Sequence, residues 1–318
     1  MALTLSGAFT ASSTSATATL QSDLASGTAA IGDFLVVFVA ADNDGTSGVS
    51  SISTTMTDSV GNTYTHRATI TRSPGSASGD GASLAIFTCP VTIALTTSDR
   101  ITANFSPNTD QKIIQAIKIV PDAGETVEYR GVGAGTTGAS TTPSQTTSSI
   151  TSGDTVIGAF AMETDDVGIT YDSDTTNGSW SSSFGNTADG GPDTSAMQLR
   201  GQYKTVSGTG AQTLNFSGLG ASRDWAGNWI TVYPQAIPNV GSASGTGSAT
   251  ATGAAQFNAV ASAAGTNTVS GSGNANAPAV GAASGTGVAS ATGVAAVGGV
   301  GSAAGTAAAS VTPPVVAS

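Results

Sequence analysis

The sequence predicts an all-β protein: two tandem β-sandwich units of jelly-roll-like character, followed by a β-stalk or solenoid of 20-residue repeats rich in Gly, Ala, Ser and Thr. Three observations carry this expectation. Short apolar runs of strand length alternate with turn dipeptides while helix signals are scarce; four landmarks occur twice in the same order; and from residue 240 the chain repeats with a period of 20. The units are placed at 1–123, 124–236 and 237–318, the composition changing between Pro234 and Pro238.

The expected strands begin with the longest apolar run, 34–41, whose β-branched and aromatic residues suit a buried strand. Runs at 84–87, 91–95, 101–105, 113–120 and 155–160 follow, punctuated by Asp-Gly, Gly-Asn, Ser-Pro-Gly and Asn-Gly. The run 113–120 carries Ile117 and Ile119 and closes on Pro121, which reads as a strand that ends at the proline.

The two halves of this region answer to each other. Gly32-Asp33 before the first apolar run matches Gly153-Asp154 before the sixth. Asp58-Ser-Val-Gly-Asn-Thr-Tyr64 matches the stretch from Asp172 to Trp180, Asn104-Phe-Ser106 matches Asn215-Phe-Ser217, and Ala116-Ile-Lys-Ile-Val-Pro121 matches Trp229-Ile-Thr-Val-Tyr-Pro234. Gly-Asp ahead of an apolar run is a turn that launches a buried strand. In the second landmark Asp58 is expected to accept from nearby backbone N–H groups, with Gly61 supplying a positive φ. Two sandwiches side by side, or two jelly-roll halves packed as one body, both satisfy these lengths.

Beyond residue 240, Val240, Val260, Val280 and Val300 fall 20 apart, each preceding a hexad of the type Gly241-Ser-Ala-Ser-Gly-Thr246. Of the 36 odd positions from 241 to 311, 31 are Gly or Ala, whereas 22 of the 35 even positions from 242 to 310 are Ser, Thr, Asn or Gln. Sorting by parity is what extended β-structure demands, because successive side chains point to opposite faces. Silk-like stacking, a narrow solenoid with one repeat per rung, and a bundle of chains all fit, as does a flexible linker. Gly and Ala bury little apolar area, so ordering at about 1–2 kcal/mol of backbone entropy per residue is poorly offset. The tail is therefore expected to order by self-association, most simply as a homotrimeric stalk.

Charge excludes several functions. The 318 residues hold 9 Lys+Arg against 20 Asp+Glu, a formal net charge of −11, and none lies beyond Asp224. Nine scattered cations build no basic face for nucleic acid. One Cys, Cys89, gives no disulfide framework, and one His, His66, leaves a Cys/His zinc site without ligands. Neither a basic-then-apolar leader nor a run of membrane-spanning length is visible in these residues, so membrane insertion is not expected.

The only local chemistry worth weighing is acidic. Asp42-Asn-Asp-Gly45 and Glu163-Thr-Asp-Asp166 each follow the Gly-Asp strand of their half, with Asp172-Ser-Asp174 behind the second. Such oxygens suit calcium, but neither stretch completes an EF-hand spacing, and the reading adopted is solvated loop acids. Nothing selects a carboxylate pair for glycoside hydrolysis. Ser and Thr have no base beside them, His66 reads as an exposed strand residue, and no catalytic residue, cofactor or metal is expected. Trp180 and Trp225 are the two rings considered for stacking on a sugar, against the alternative that they fill a core.

The run from Gly32 to Ala40, the motif from Asp58 to Tyr64 and the Gly/Ala/Ser/Thr repeat together resemble β-sandwich virion proteins of tailed bacteriophages, in the fibre, spike and head-decoration group. The resemblance implies a non-enzymatic, multi-copy particle component assembled in a bacterial cytoplasm. Its partners would be further copies, other virion proteins and a host cell-surface glycan. A bacterial surface adhesin or filament subunit, and a carbohydrate-binding module, are the alternatives.

Overall fold

The computed structural model describes residues 3–42, 52–73, 81–191, 196–237, 240–244, 247–254, 259–264, 267–274, 279–284, 287–293, 300–304 and 307–312, with side chains described up to residue 237 except Pro107. The described residues form strands and no helix, and the chain divides into two compact units, Met1–Gln235 and Ala236–Ser318.

Numbered along the chain, the first half of unit one contributes an antiparallel sheet in the order β1 (Thr4–Ser13), β8 (Lys112–Val120), β3 (Phe34–Asp42), β6 (Ala82–Pro90), β5 (Thr65–Arg72). A smaller sheet, β2 (Thr17–Gln21), β7 (Ile101–Thr109), β4 (Ile52–Asp58), lies on one face of it. The second half repeats the plan. β10 (Thr136–Ser140), β16 (Arg223–Ala236), β12 (Thr155–Met162), β14 (Ala196–Thr205) and β13 (Phe184–Asp189) form its large sheet, with β9 (Glu125–Val132) also pairing β16. Its small sheet is the pair β11 (Ser144–Thr146) and β15 (Thr213–Asn215).

Period-two alternation decides the layering, because β3 and β12 are buried along their whole lengths. Phe34, Val36 and Phe38 on β3 enter the same core as Ile157, Ala159 and Ala161 on β12, so the two large sheets pack face to face. Leu35, Val37 and Val39 face the small sheet of the first half, meeting Ile101, Ala103 and Phe105. Val156, Phe160 and Met162 face outward in the second half toward Leu214 and Phe216. The result is β-sandwich-like, four layers deep, with a shared middle core.

The two halves launch their central strands with the same backbone hydrogen bonds. Gly32 (φ +96°) donates to Val91 O at 3.0 Å, and Gly153 (φ +91°) to Val206 O at 2.7 Å. Val91 returns a bond to Asp33 O and Val206 to Asp154 O, while Ala29 pairs with Leu95 as Ile150 does with Gly210. The positive φ explains both glycines, since an L side chain there is strained. The run 91–95, expected as a strand, makes only the bridge at Leu95; its backbone is spent closing the Gly-Asp turn and binding Asn62. The Asp58 turn forms as expected: its Oδ1 accepts from the N–H groups of Val60, Gly61 and Asn62 at 3.0, 2.6 and 3.1 Å.

Unit two consists of two parallel four-stranded sheets. One has the order β17 (Val240–Ser244), β19 (Ala259–Ala264), β21 (Ala279–Ser284), β23 (Val300–Ala304); the other β18 (Gly247–Ala254), β20 (Asn267–Asn274), β22 (Gly287–Gly293), β24 (Ala307–Thr312). The register equals the sequence period, with Val240 opposite Val260, Val260 opposite Val280, and Val280 opposite Val300. Gly253, Gly273 and Gly293 likewise share a column. Strands thus find partners within one chain, and neighbouring repeats lie about 4.8 Å apart. The hexad positions Gly245 and Thr246, and their repeats, lie outside the described residues.

Phe38 is fully buried in the shared middle core and stacks on Phe184 at 5.6 Å, so Phe38→Ala should cost about 3–5 kcal/mol. Urea unfolding followed by tryptophan fluorescence, whose probes all lie in the second half, should move by that amount although the substitution is in the first. An unchanged fluorescence transition would show that the halves unfold independently.

Candidate functional site

In the first half the chain leaving β3 returns as β4 and pairs with β7. In the second half the corresponding chain, 163–183, forms no strand and makes one bridge, Thr170 to Ser217. Structureless loops longer than about 12–15 residues in compact domains are mostly functional or disordered. Here something other than strand pairing holds the loop.

The holding groups stand on β14. The matched turns align Val206 with Val91, which places Gln202 where the first half has Phe87 and Lys204 where it has Cys89. Gln202 Nε2 donates to Asp172 O at 3.1 Å and Ser181 O at 2.7 Å, and its Oε1 accepts from Asp172 N–H at 3.0 Å. Gln198 Nε2 donates to Asp166 O at 2.7 Å. Lys204, about 1% exposed, donates to Thr176 O and Gly178 O at 3.0 and 3.4 Å, with Asp174 Oδ2 at 3.5 Å. Buried polar groups are costly unless bonded, so these side chains and the loop carbonyls fix each other.

The acids serve the same purpose. Asp166 Oδ2 accepts from Thr164 Oγ1 and Gly220 N–H at 2.8 and 3.0 Å. Asp172 takes Asp174 N–H at 2.7 Å and Asn215 N–H at 2.8 Å. Asp174 accepts from Thr176 N–H at 2.9 Å, and that bond holds its carboxyl below the usual range. Asp165 and Asp174 are exposed loop acids, but the reading needs correction at two positions: Asp42 and Glu163 are buried at the ends of β3 and β12, and Glu163 Oε2 accepts from Gly81 N–H at 3.2 Å. Asp224 Oδ1 pairs with Arg72 Nε at 3.1 Å, joining the two halves at the same end. Among the described residues no three His, Cys, Asp or Glu side chains are grouped as metal ligands. Asn43, Asp44 and Gly45 lie outside them.

Trp180 and Trp225 are core rings, 9% and 7% exposed. Trp180 lies under Lys204 Nζ, 4.7 Å from the ring centroid, while Trp225 donates to Ser140 Oγ at 3.0 Å and meets Phe160 edge-on. Neither presents a face to a sugar, because both are packed in the core that Phe160, Leu214 and Phe216 share. His66 is half-buried rather than exposed, with Nε2 2.7 Å from Thr69 Oγ1 and its ring against Phe87; burial pushes its pKa down. Cys89 is fully buried, its thiol pushed up to about 12 by desolvation, with the Asp58 charge adding to it.

What the loop shows to solvent is Asp165, Val167 and Gly168 at its first bend and a Ser/Thr/Asp run from 173 to 176; Val167 is completely exposed. Sequence reasoning passed over the bracing residues Gln198, Gln202 and Lys204. The available signal was Gln202 and Lys204 at alternate positions where the first half has Phe87 and Cys89; Gln198 gave none, since its counterpart is Ser83.

Gln202→Ala removes three bonds, each worth about 0.5–1.5 kcal/mol net, so stability should fall by about 2 kcal/mol and limited proteolysis should cut first within 163–183. Cutting elsewhere would contradict the bracing. Cys89 has a raised folded pKa, so its burial stabilises fully below the ordinary 9.0 and this contribution is lost as pH rises toward about 12. Native protein at neutral pH should resist a thiol reagent until denatured, and Cys89→Ala should flatten the alkaline loss of stability. Fast native labelling would overturn that assignment. No family model, curated protein or solved structure matches the chain.

Proposed function

We propose that this chain is a non-enzymatic structural component of a tailed-phage particle, of the fibre, spike or head-decoration kind, assembled in a bacterial cytoplasm. Its first 236 residues are two duplicated sandwich units and its tail is a solenoid with one 20-residue repeat per rung. The observation that carries the reading is the tail register, in which an uncharged sequence repeats at the interval at which its strands pair. A repeat of small residues gains chiefly by backbone pairing, and it suits a passive extension or a lattice contact.

The braced loop supports a contact role for the body. Conserving the duplicated frame while replacing one strand by a side-chain-held loop gives a rigid display of residues such as Val167, the arrangement expected of a recognition surface on a scaffold. That surface would face other virion proteins or a host glycan, without using Trp180 or Trp225.

Particles released from producing cells and purified on a density gradient, probed with an antibody raised against the folded full-length chain, should carry the protein in multiple copies. Recovery only as free protein, or labelling of the cell surface instead, would overturn the reading, the second result pointing to an adhesin.

A further inference from the structure

We propose that the open edges of the tail join copies of this chain head to tail, the last repeat of one copy taking up the first repeat of the next. The proposal rests on the solenoid reading of the tail and names its partner as a second copy.

Among the described residues, β23 and β24 have strand partners on one side only, β21 and β22; β17 and β18 are likewise paired only to β19 and β20. Among the described residues, each sheet therefore has at either end an outer row of N–H and C=O groups with no strand partner, and such rows template further strands. The two ends match each other. Val240 and Val300 occupy the same register column, reached through Val260 and Val280 without a shift, and Gly247 and Ala307 share a column of the second sheet. Laying β17 of a second copy beside β23 with Val240 opposite Val300 repeats a pairing the chain already makes three times. The same translation sets β18 beside β24, so both sheets extend at once.

The devices that normally blunt an edge are missing from these four strands. Val240–Ser244, Gly247–Ala254, Val300–Ala304 and Ala307–Thr312 contain no Lys, Arg, Asp, Glu or Pro. The rival pairing sets two last repeats antiparallel about a two-fold axis, which breaks the Val and Gly columns and closes as a dimer. Translation keeps the columns, and because the contact is heterologous it leaves a fresh edge after every addition.

The test is light scattering of the full chain across a wide concentration range, with two variants: Ala309→Pro at the last edge and Ser242→Pro at the first. Wild type should grow beyond dimer as concentration rises. Each variant should remain monomeric alone, and an equimolar mixture should give a one-to-one dimer that grows no further, because each supplies the edge the other lacks. Wild type that stays monomeric, or stops at a closed dimer, overturns the proposal. So does growth that survives in both variants, which would place the contact elsewhere. Tryptophan fluorescence reports whether unit one stays folded in each variant. Particle membership does not enter this measurement, so a chain that grows end to end yet is absent from particles fails only the virion reading.

Discussion

Burial of both faces of β3 and β12 is the constraint on which the rest of unit one depends. A strand apolar on alternate residues needs one partner layer; a strand apolar throughout needs two. Each of these strands therefore requires a large sheet on one side and a covering layer on the other, and the large sheet of the other half supplies the inner layer. Face-to-face packing follows, and with it the small sheets, the Gly-Asp turns that feed each central strand, and the Arg72–Asp224 pair that ties the halves at one end.

Given that frame, the two halves solve the same covering problem with different chemistry. The first half covers β6 with apolar packing, Phe87 and Cys89 lying under β4 and its neighbours. The second half has Gln202 and Lys204 at those places and covers them with backbone carbonyls of the 163–183 loop. A side-chain amide or ammonium has reach and direction that a methyl group lacks, so an irregular segment can be held in one shape. Specificity of loop shape is gained where the apolar half has regular pairing.

Unit two runs on a different principle. Its strands are small-residue segments whose repeat interval matches the offset of their pairing, so every rung meets a copy of itself. Stability of such an array is a sum over neighbours rather than the property of a core, and an array without caps is incomplete at each end.

Much of this was legible in the residues. Alternation by parity, the 20-residue period, the Asp58 turn and the paired Gly-Asp launches are local or periodic, and local geometry is encoded where the residues stand. The sequence by itself determined strand content, the paired landmarks and the 20-residue period of the tail, since these are local or periodic. Tertiary structure alone decided that the two halves share one core, that Trp180 and Trp225 are buried rather than displayed, that Asp42 and Glu163 are buried at strand ends, and that polar residues on β14 stand in for a missing strand. Each of these depends on which face of a strand meets which distant segment, and a single strand's alternation says only that two faces exist.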